Sequence, residues 1–180
     1  MPELALHFAV PFALSAPIIG LRKAAIVSFV ALLPDLDFVF QVHRSVSHSL
    51  VVLFVGSLLL ITCVKRFRPQ YFSCTFITCL ALFSHLLMDM FSGATPALWP
   101  LVERPFSVDV ELAFVVGGSW RFDWTVLMTW SQPPANPFPV ADVAMVGPIV
   151  TSEGFIVSLM LVAIPIMMRL LRQRPFRSRG

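Results

Sequence analysis

Apolar residues run nearly unbroken through five stretches of the chain, 4–21, 24–34, 49–64, 71–91 and 149–171, and polar residues collect at the ends of these stretches. A helix needs about 20 apolar residues to cross the hydrocarbon core of a bilayer. The fourth and fifth stretches meet that length. The third reaches it only if it begins near Ser45, and the second reaches 17 residues only if counted from Arg22 to Phe38. The pattern predicts an all-α polytopic membrane protein of about five helical segments, the first two forming a hairpin that enters the membrane obliquely or packs against the longer helices.

The pattern changes between the fourth and fifth segments. Residues 92–148 are rich in Pro, Gly and Trp, and 107-SVDVELAFV-115 alternates apolar and acidic residues through Leu112, the period of a half-exposed strand. The run 131-SQPPANPFPVAD-142 reads as loop. This region is expected to form a partly β, partly irregular external cap. The chain then reads as a single membrane domain, 1–180: a helical core at 4–91, the cap at 92–148, a last transmembrane helix at 149–171 and a basic cytoplasmic tail at 172–180.

Composition supports the membrane reading. Charged residues make up 13% of the chain and hydrophobic ones 57%, with a mean hydropathy of +0.83, whereas about a quarter of the residues in a soluble domain are charged. The basic residues flank apolar runs, so the pI near 9.1 points to membrane boundaries and lipid rather than to nucleic acid. Cys63, Cys74 and Cys79 lie in or beside apolar segments without CxxC spacing, and read as small buried side chains. The first residues, MPELALHF, lack the basic start of a secretory signal, so 4–21 reads as retained.

Basic residues also orient the chain. With Arg22–Lys23, 65-KRFR-68 and 169-RLLRQRPFRSRG-180 in the cytoplasm, ten of the thirteen Lys and Arg residues lie inside. All ten Asp and Glu residues then fall at the outer side. The expectation is a multi-pass protein of the cell membrane with five passes, its N-terminus outside and its C-terminus cytoplasmic.

That topology gathers a particular chemistry on one side. The four histidines, His7, His43, His48 and His85, all fall near the outer boundary, with Asp35, Asp37 and Asp89. His85 and Asp89 are four residues apart, about 40° in helical projection, and share a face. His43 and His48 are five apart, about 140° on an ideal helix, so His43 is placed in a loop and His48 at the start of the third helix. Asp35 and Asp37 end the second helix at Pro34. Ionisable residues at transmembrane helices are costly and mark function. Four imidazoles and three carboxylates fit a divalent metal, Zn²⁺ first and Mn²⁺ as an alternative, with one or two ions held. Taken singly, each group also has a plain reading: Asp35 and Asp37 as a solvated helix end, His43 and Arg44 as headgroup contacts, His85 with Asp89 as an intrahelical pair, His7 as a packed histidine. Arg44 suits an anionic substrate group. Ser45, Ser47 and Ser49 suit capping or support of the ligands, and Glu153 a first helical turn.

In order along the chain, LPDLD, HRSVSHS, SHLLMD and 93-GATPALWP-100 resemble the motifs of the YdjM-like membrane-bound metal-dependent hydrolases. The resemblance covers roughly residues 4–100, with the C-terminal helix fitting more loosely. It implies a multi-pass membrane protein with a metal-dependent hydrolase site, and His7, Asp35, Asp37, His43, His48, His85 and Asp89 match the family's polar positions. Two positions depart from the usual HRG-x-THS. Ser45 stands in place of Gly and adds a side chain at a tight turn, while Ser47 in place of Thr keeps the hydroxyl.

These readings converge on a membrane-embedded metal-dependent hydrolase at the outer membrane face, acting on a phosphoester or lipid-linked substrate. Asp37 or Asp89 would be the general base and Arg44 the anion-holding group. The rival is a non-enzymatic membrane protein whose metal is structural or transported. A transport path needs polar groups through the bilayer midplane, and the cytoplasmic halves of these helices carry few beyond Ser28, Thr62 and Thr78.

Overall fold

The computed structural model describes residues 4–40, 46–117, 119–132 and 150–172. Among these, five α-helices form: α1 (Leu4–Ile19), α2 (Leu21–Ala31), α3 (Leu50–Phe67), α4 (Phe72–Ser92) and α5 (Ser152–Arg172). One antiparallel hairpin, β1 (Phe106–Gly117) and β2 (Ser119–Trp130), lies between α4 and α5. Short 3₁₀ helices at Leu33–Phe40, Val46–His48 and Pro69–Tyr71 make the corners. The expected helical membrane protein with a small β region is what the chain forms.

Three of the helical stretches, Leu50–Phe67, Pro69–Ser92 and Ser152–Arg172, are long and apolar enough to cross a membrane. At 16 and 11 residues, α1 and α2 fall short of the roughly 20 a simple crossing needs. The helix surfaces are dressed for lipid. On α3 the side chain of Ser57 is buried, while Phe54 is 60% and Leu59 66% exposed.

The chain divides into two compact units. One takes in the described parts of 1–33, 60–85 and 146–180, and the other those of 34–59 and 86–145. In the first unit α1 packs against both α2 and α5. Its core is made largely of small residues, with Ala16 and Ala24 beside Phe12 in one cluster and Ala31 and Ala81 beside Val27 in another. Alanines let helix backbones approach closely, which suits helices that gain little from hiding grease from grease. The large side chains point away: Leu14, Ile18, Ile26 and Phe29 are all exposed.

A single residue, Gly20, separates α1 from α2. It ends one helix by donating its N–H to the Ala16 carbonyl (3.0 Å) and starts the next by accepting from Ala24 (3.0 Å). Its φ of 81° and ψ of 157° lie in a region open essentially to glycine. A Cβ there would meet nothing within 4 Å, so the requirement is conformational and not steric.

The break after α2 is one difference from the sequence expectation. The apolar pattern runs the second segment to residue 34, with Asp35 and Asp37 at its end. Pro34 has no N–H to donate to the carbonyl four residues earlier. The α-helix accordingly stops at Ala31, and both aspartates enter a separate 3₁₀ helix, Leu33–Phe40.

In the second unit the start of α3 is pinned. Ser49 caps it by accepting from the Val52 N–H (3.3 Å), and its hydroxyl donates to the Trp99 carbonyl. The Leu50 N–H donates to the Ala97 carbonyl (2.8 Å). The loop after α4 thus holds the residues around His48. Thr95 and Phe106 exchange both backbone hydrogen bonds (2.9 and 2.8 Å), which ties the base of the hairpin three residues from the end of α4. The strand expected within 107–115 is longer, and its partner, 119–130, is an element that the sequence reading lacks. The signal is nonetheless present, since Trp120, Phe122, Trp124, Val126, Met128 and Trp130 alternate with other residues at period two.

Candidate metal centre

Four elements carry the described histidines and the aspartates Asp35 and Asp89. Asp35 lies in the first turn of the 3₁₀ helix Leu33–Phe40, and His48 ends the 3₁₀ turn Val46–His48 just before α3. Asp89 stands in the last turn of α4, and His85 precedes it by one turn on the same face. His7 is on α1.

All five side chains are buried, His48, His85 and Asp89 completely. His48 Nε2 stands 3.1 Å from Asp89 Oδ2 and 3.7 Å from Asp35 Oδ1. One ligand atom from each of Asp35, His48, His85 and Asp89 can be chosen so that all four lie within 4.8 Å of one another. The His7 and His85 rings meet at a centroid distance of 4.2 Å, tilted by 59°.

Electrostatics constrains what such a cluster does. An isolated carboxylate moved out of water is strongly disfavoured, and buried charges are therefore paired or coordinate a metal. An imidazole nitrogen and a carboxylate oxygen both carry lone pairs, so at 3.1 Å a proton or a metal ion is shared between them. An Nε2–H that donates to the carboxylate satisfies the contact, and a metal ion bound to both atoms does so equally. The Ser47 hydroxyl stands 3.0 Å from His48 Nδ1. When Nδ1–H donates to Ser47 Oγ, the Nε2 lone pair faces the two aspartates, the tautomer a ligand needs. Two imidazoles and two carboxylates, all of them hard or borderline donors, fit a divalent ion with nitrogen and oxygen preference.

Of the seven metal-site residues expected from sequence, the structure brings Asp35, His48, His85 and Asp89 into one cluster and sets His7 against its His85 ring. The backbone of Asp37 continues the 3₁₀ helix that carries Asp35. The Asp37 side chain, His43, Arg44 and Ser45 lie outside the described residues. Sequence reasoning misses that the Ala97 and Trp99 carbonyls anchor the chain beside His48, and no residue-type signal could show it, because the contacts are made by backbone oxygens.

The lineage follows from a match along nearly the whole chain: residues 4–176 fit the family model of the YdjM inner membrane protein. The chain belongs to the YdjM inner membrane protein family. No curated protein and no solved structure matches it. Membership of the YdjM family, with the three long apolar helices, makes this an integral membrane protein. The motifs LPDLD, HRSVSHS and SHLLMD supply Asp35, His48, and His85 with Asp89, so three separated motifs of a YdjM chain close on one buried cluster.

Proposed function

We propose that this YdjM protein is a membrane-embedded metal-dependent hydrolase that acts at the outer membrane face on a phosphoester or lipid-linked substrate. The observation that carries the proposal is the buried Asp35, His48, His85, Asp89 cluster. Its donor set suits Zn²⁺, with Mn²⁺ as the alternative, and bound there the ion would supply Lewis acidity toward a scissile ester.

The chain's own groups have distinct tasks. His48 and His85 present imidazole nitrogens, and Ser47, 3.0 Å from His48 Nδ1, would hold the His48 ring in its ligating tautomer. Asp35 and Asp89 would offset the charge of a bound ion. Because Asp89 lies 3.1 Å from His48 inside the ligand set, the general-base role falls to Asp37. Arg44 would hold the anionic group of the substrate, as a guanidinium does through paired N–H donors.

The same reading places the N-terminus outside and the C-terminus in the cytoplasm. Three crossings by α3, α4 and α5 leave the 33–50 region and the hairpin outside and the basic 65-KRFR-68 and C-terminal tail inside. That side assignment is the same whether α1 and α2 cross or form a re-entrant hairpin. Cysteines placed at Asp109 and Arg174 should be labelled from opposite sides of sealed vesicles, and labelling of both from one side would overturn the orientation.

A structural metal is the second reading, and the complete burial of His48, His85 and Asp89 favours it. Elemental analysis of the detergent-purified chain, beside folded His48→Ala and Asp35→Ala variants, tests the site. Wild-type protein with one or two equivalents of a transition metal and depleted variants are expected; metal-free wild type refutes both readings. A panel of phospholipids and phosphoesters in vesicles then separates them. Metal-dependent turnover supports the hydrolase, and its absence from every class in the metal-loaded protein leaves the structural reading.

A further inference from the structure

The hairpin presents two chemically opposite faces. Residues paired across antiparallel strands share a face, and faces alternate along each strand. The register Phe106↔Trp130, Val108↔Met128, Val110↔Val126, with Trp124 and Phe122 continuing at period two, therefore puts an unbroken series of apolar residues on one face. The other face takes Ser107, Asp109, Glu111, Asp123, Thr125 and Thr129, together with Ala113 and Leu127. Beyond the buried Val108 near the base, the apolar face is open, with Phe122 75%, Trp124 71% and Met128 66% exposed.

A face of this kind does not stand in water unaided. A lone two-stranded hairpin is marginally stable in water at best, and large exposed apolar patches mark interaction sites. Here each strand has 12 residues, about 40 Å at roughly 3.4 Å per residue, and the sheet has two strands among the described residues. Its place in the chain indicates what covers it. The hairpin base is tied by paired backbone hydrogen bonds to Thr95, three residues past the end of a helix that is long and apolar enough to cross the bilayer. A sheet rooted at a helix end at the membrane boundary meets the lipid interface first. Its composition agrees, since Trp124 and Trp130 both belong to the apolar face, and tryptophan is enriched at that boundary.

We infer that the 106–130 hairpin lies flat in the outer headgroup boundary of the bilayer, its Phe122, Trp124, Met128 and Trp130 face seated among the upper acyl chains and its Asp109, Glu111 and Asp123 face toward water. The occupant of the apolar face is phospholipid. Deep insertion is disfavoured by the three carboxylates of the opposite face, and by the edge backbone N–H and C=O groups that pair with no third strand among the described residues. The surface is independent of the metal reading and holds whether or not the chain is a hydrolase.

Photo-crosslinking of the unaltered chain tests this, in nanodiscs that hold one copy, made with phosphatidylcholine carrying a diazirine high on the acyl chain. Lipid adducts mapped by mass spectrometry are expected on Phe122, Trp124, Met128 and Trp130 at several-fold the yield on Asp109, Asp123 and Thr125. Equal yields on the two faces, or no adducts on 106–130 while α3 and α5 are labelled, would overturn the inference. Nanodiscs holding two copies provide a second arm. Unchanged adduct yields there support lipid as the occupant, and loss of the hairpin adducts would assign the face to a second copy of the chain instead.

Discussion

The metal centre and the hairpin invert the usual placement of side chains in opposite ways. At the centre, His48, His85 and Asp89 are wholly buried, although they are among the most polar groups in the chain; on the hairpin, Phe122 and Trp124 are more than two-thirds exposed. The first arrangement is stable when something balances the buried charge, and the second when something other than water touches the surface. The hairpin thus suits a bilayer, and the centre could hold a cation. The hairpin of α1 and α2 shows a related division, with Ala9, Ala16, Ala24 and Ala31 inside and Leu14, Ile18, Ile26 and Phe29 outside.

The largest predicted effect sharpens the centre. Asp89→Ala removes a carboxylate 3.1 Å from His48 Nε2 and should lower metal affinity by more than the roughly 10–100-fold that loss of an outer-shell partner costs, as read by chelator competition on the purified chain. Retention of wild-type affinity would show that Asp89 is not a ligand. Ser47→Ala, which removes the hydroxyl 3.0 Å from Nδ1, should cost about 10–100-fold in the same titration, with Ser47→Thr restoring it. No change would mean that the His48 tautomer is set elsewhere.

Two stability predictions extend the comparison to the helices. Gly20→Ala forces a side chain into a backbone conformation of φ 81° and should destabilise the α1–α2 junction by about 1–3 kcal/mol. Steric trapping in bicelles measures it, and a neutral result would mean the turn relaxes freely. The smallest effect belongs to the exposed face: Leu59→Ala, at a position 66% exposed, should fall within about 0.5 kcal/mol of wild type. A loss of several kcal/mol there would show that α3 packs against another protein surface and not against lipid.

Local patterns carry much of this architecture. The apolar runs locate the helices to within a few residues, because a bilayer requires long apolar stretches and little else. The i, i+4 spacing of His85 and Asp89 places both on one face of α4, since helical geometry makes that relation local. Alternation marks β1, and the aromatic-rich 119–130 run carries the same alternation, hidden by its neighbours Arg121 and Leu127, which mix charge and grease on the intervening positions. The break after Ala31 is harder to read, because the end of α2 depends on a hydrogen bond that Pro34 cannot make.

Composition and periodicities of a few residues are enough to establish a helical membrane protein, to locate its basic flanks, and to show histidine and aspartate recurring in LPDLD, HRSVSHS and SHLLMD. They do not bring those motifs together. That Asp35 and Asp89 both come within 3.7 Å of one His48 nitrogen depends on where the 95–99 loop anchors the start of α3 through the Ala97 and Trp99 carbonyls. The partner of β1 and its register, and so the set of apolar side chains that share one face of the hairpin, are likewise properties of the folded chain. Both rest on contacts between residues distant in sequence, whose partners no local pattern specifies.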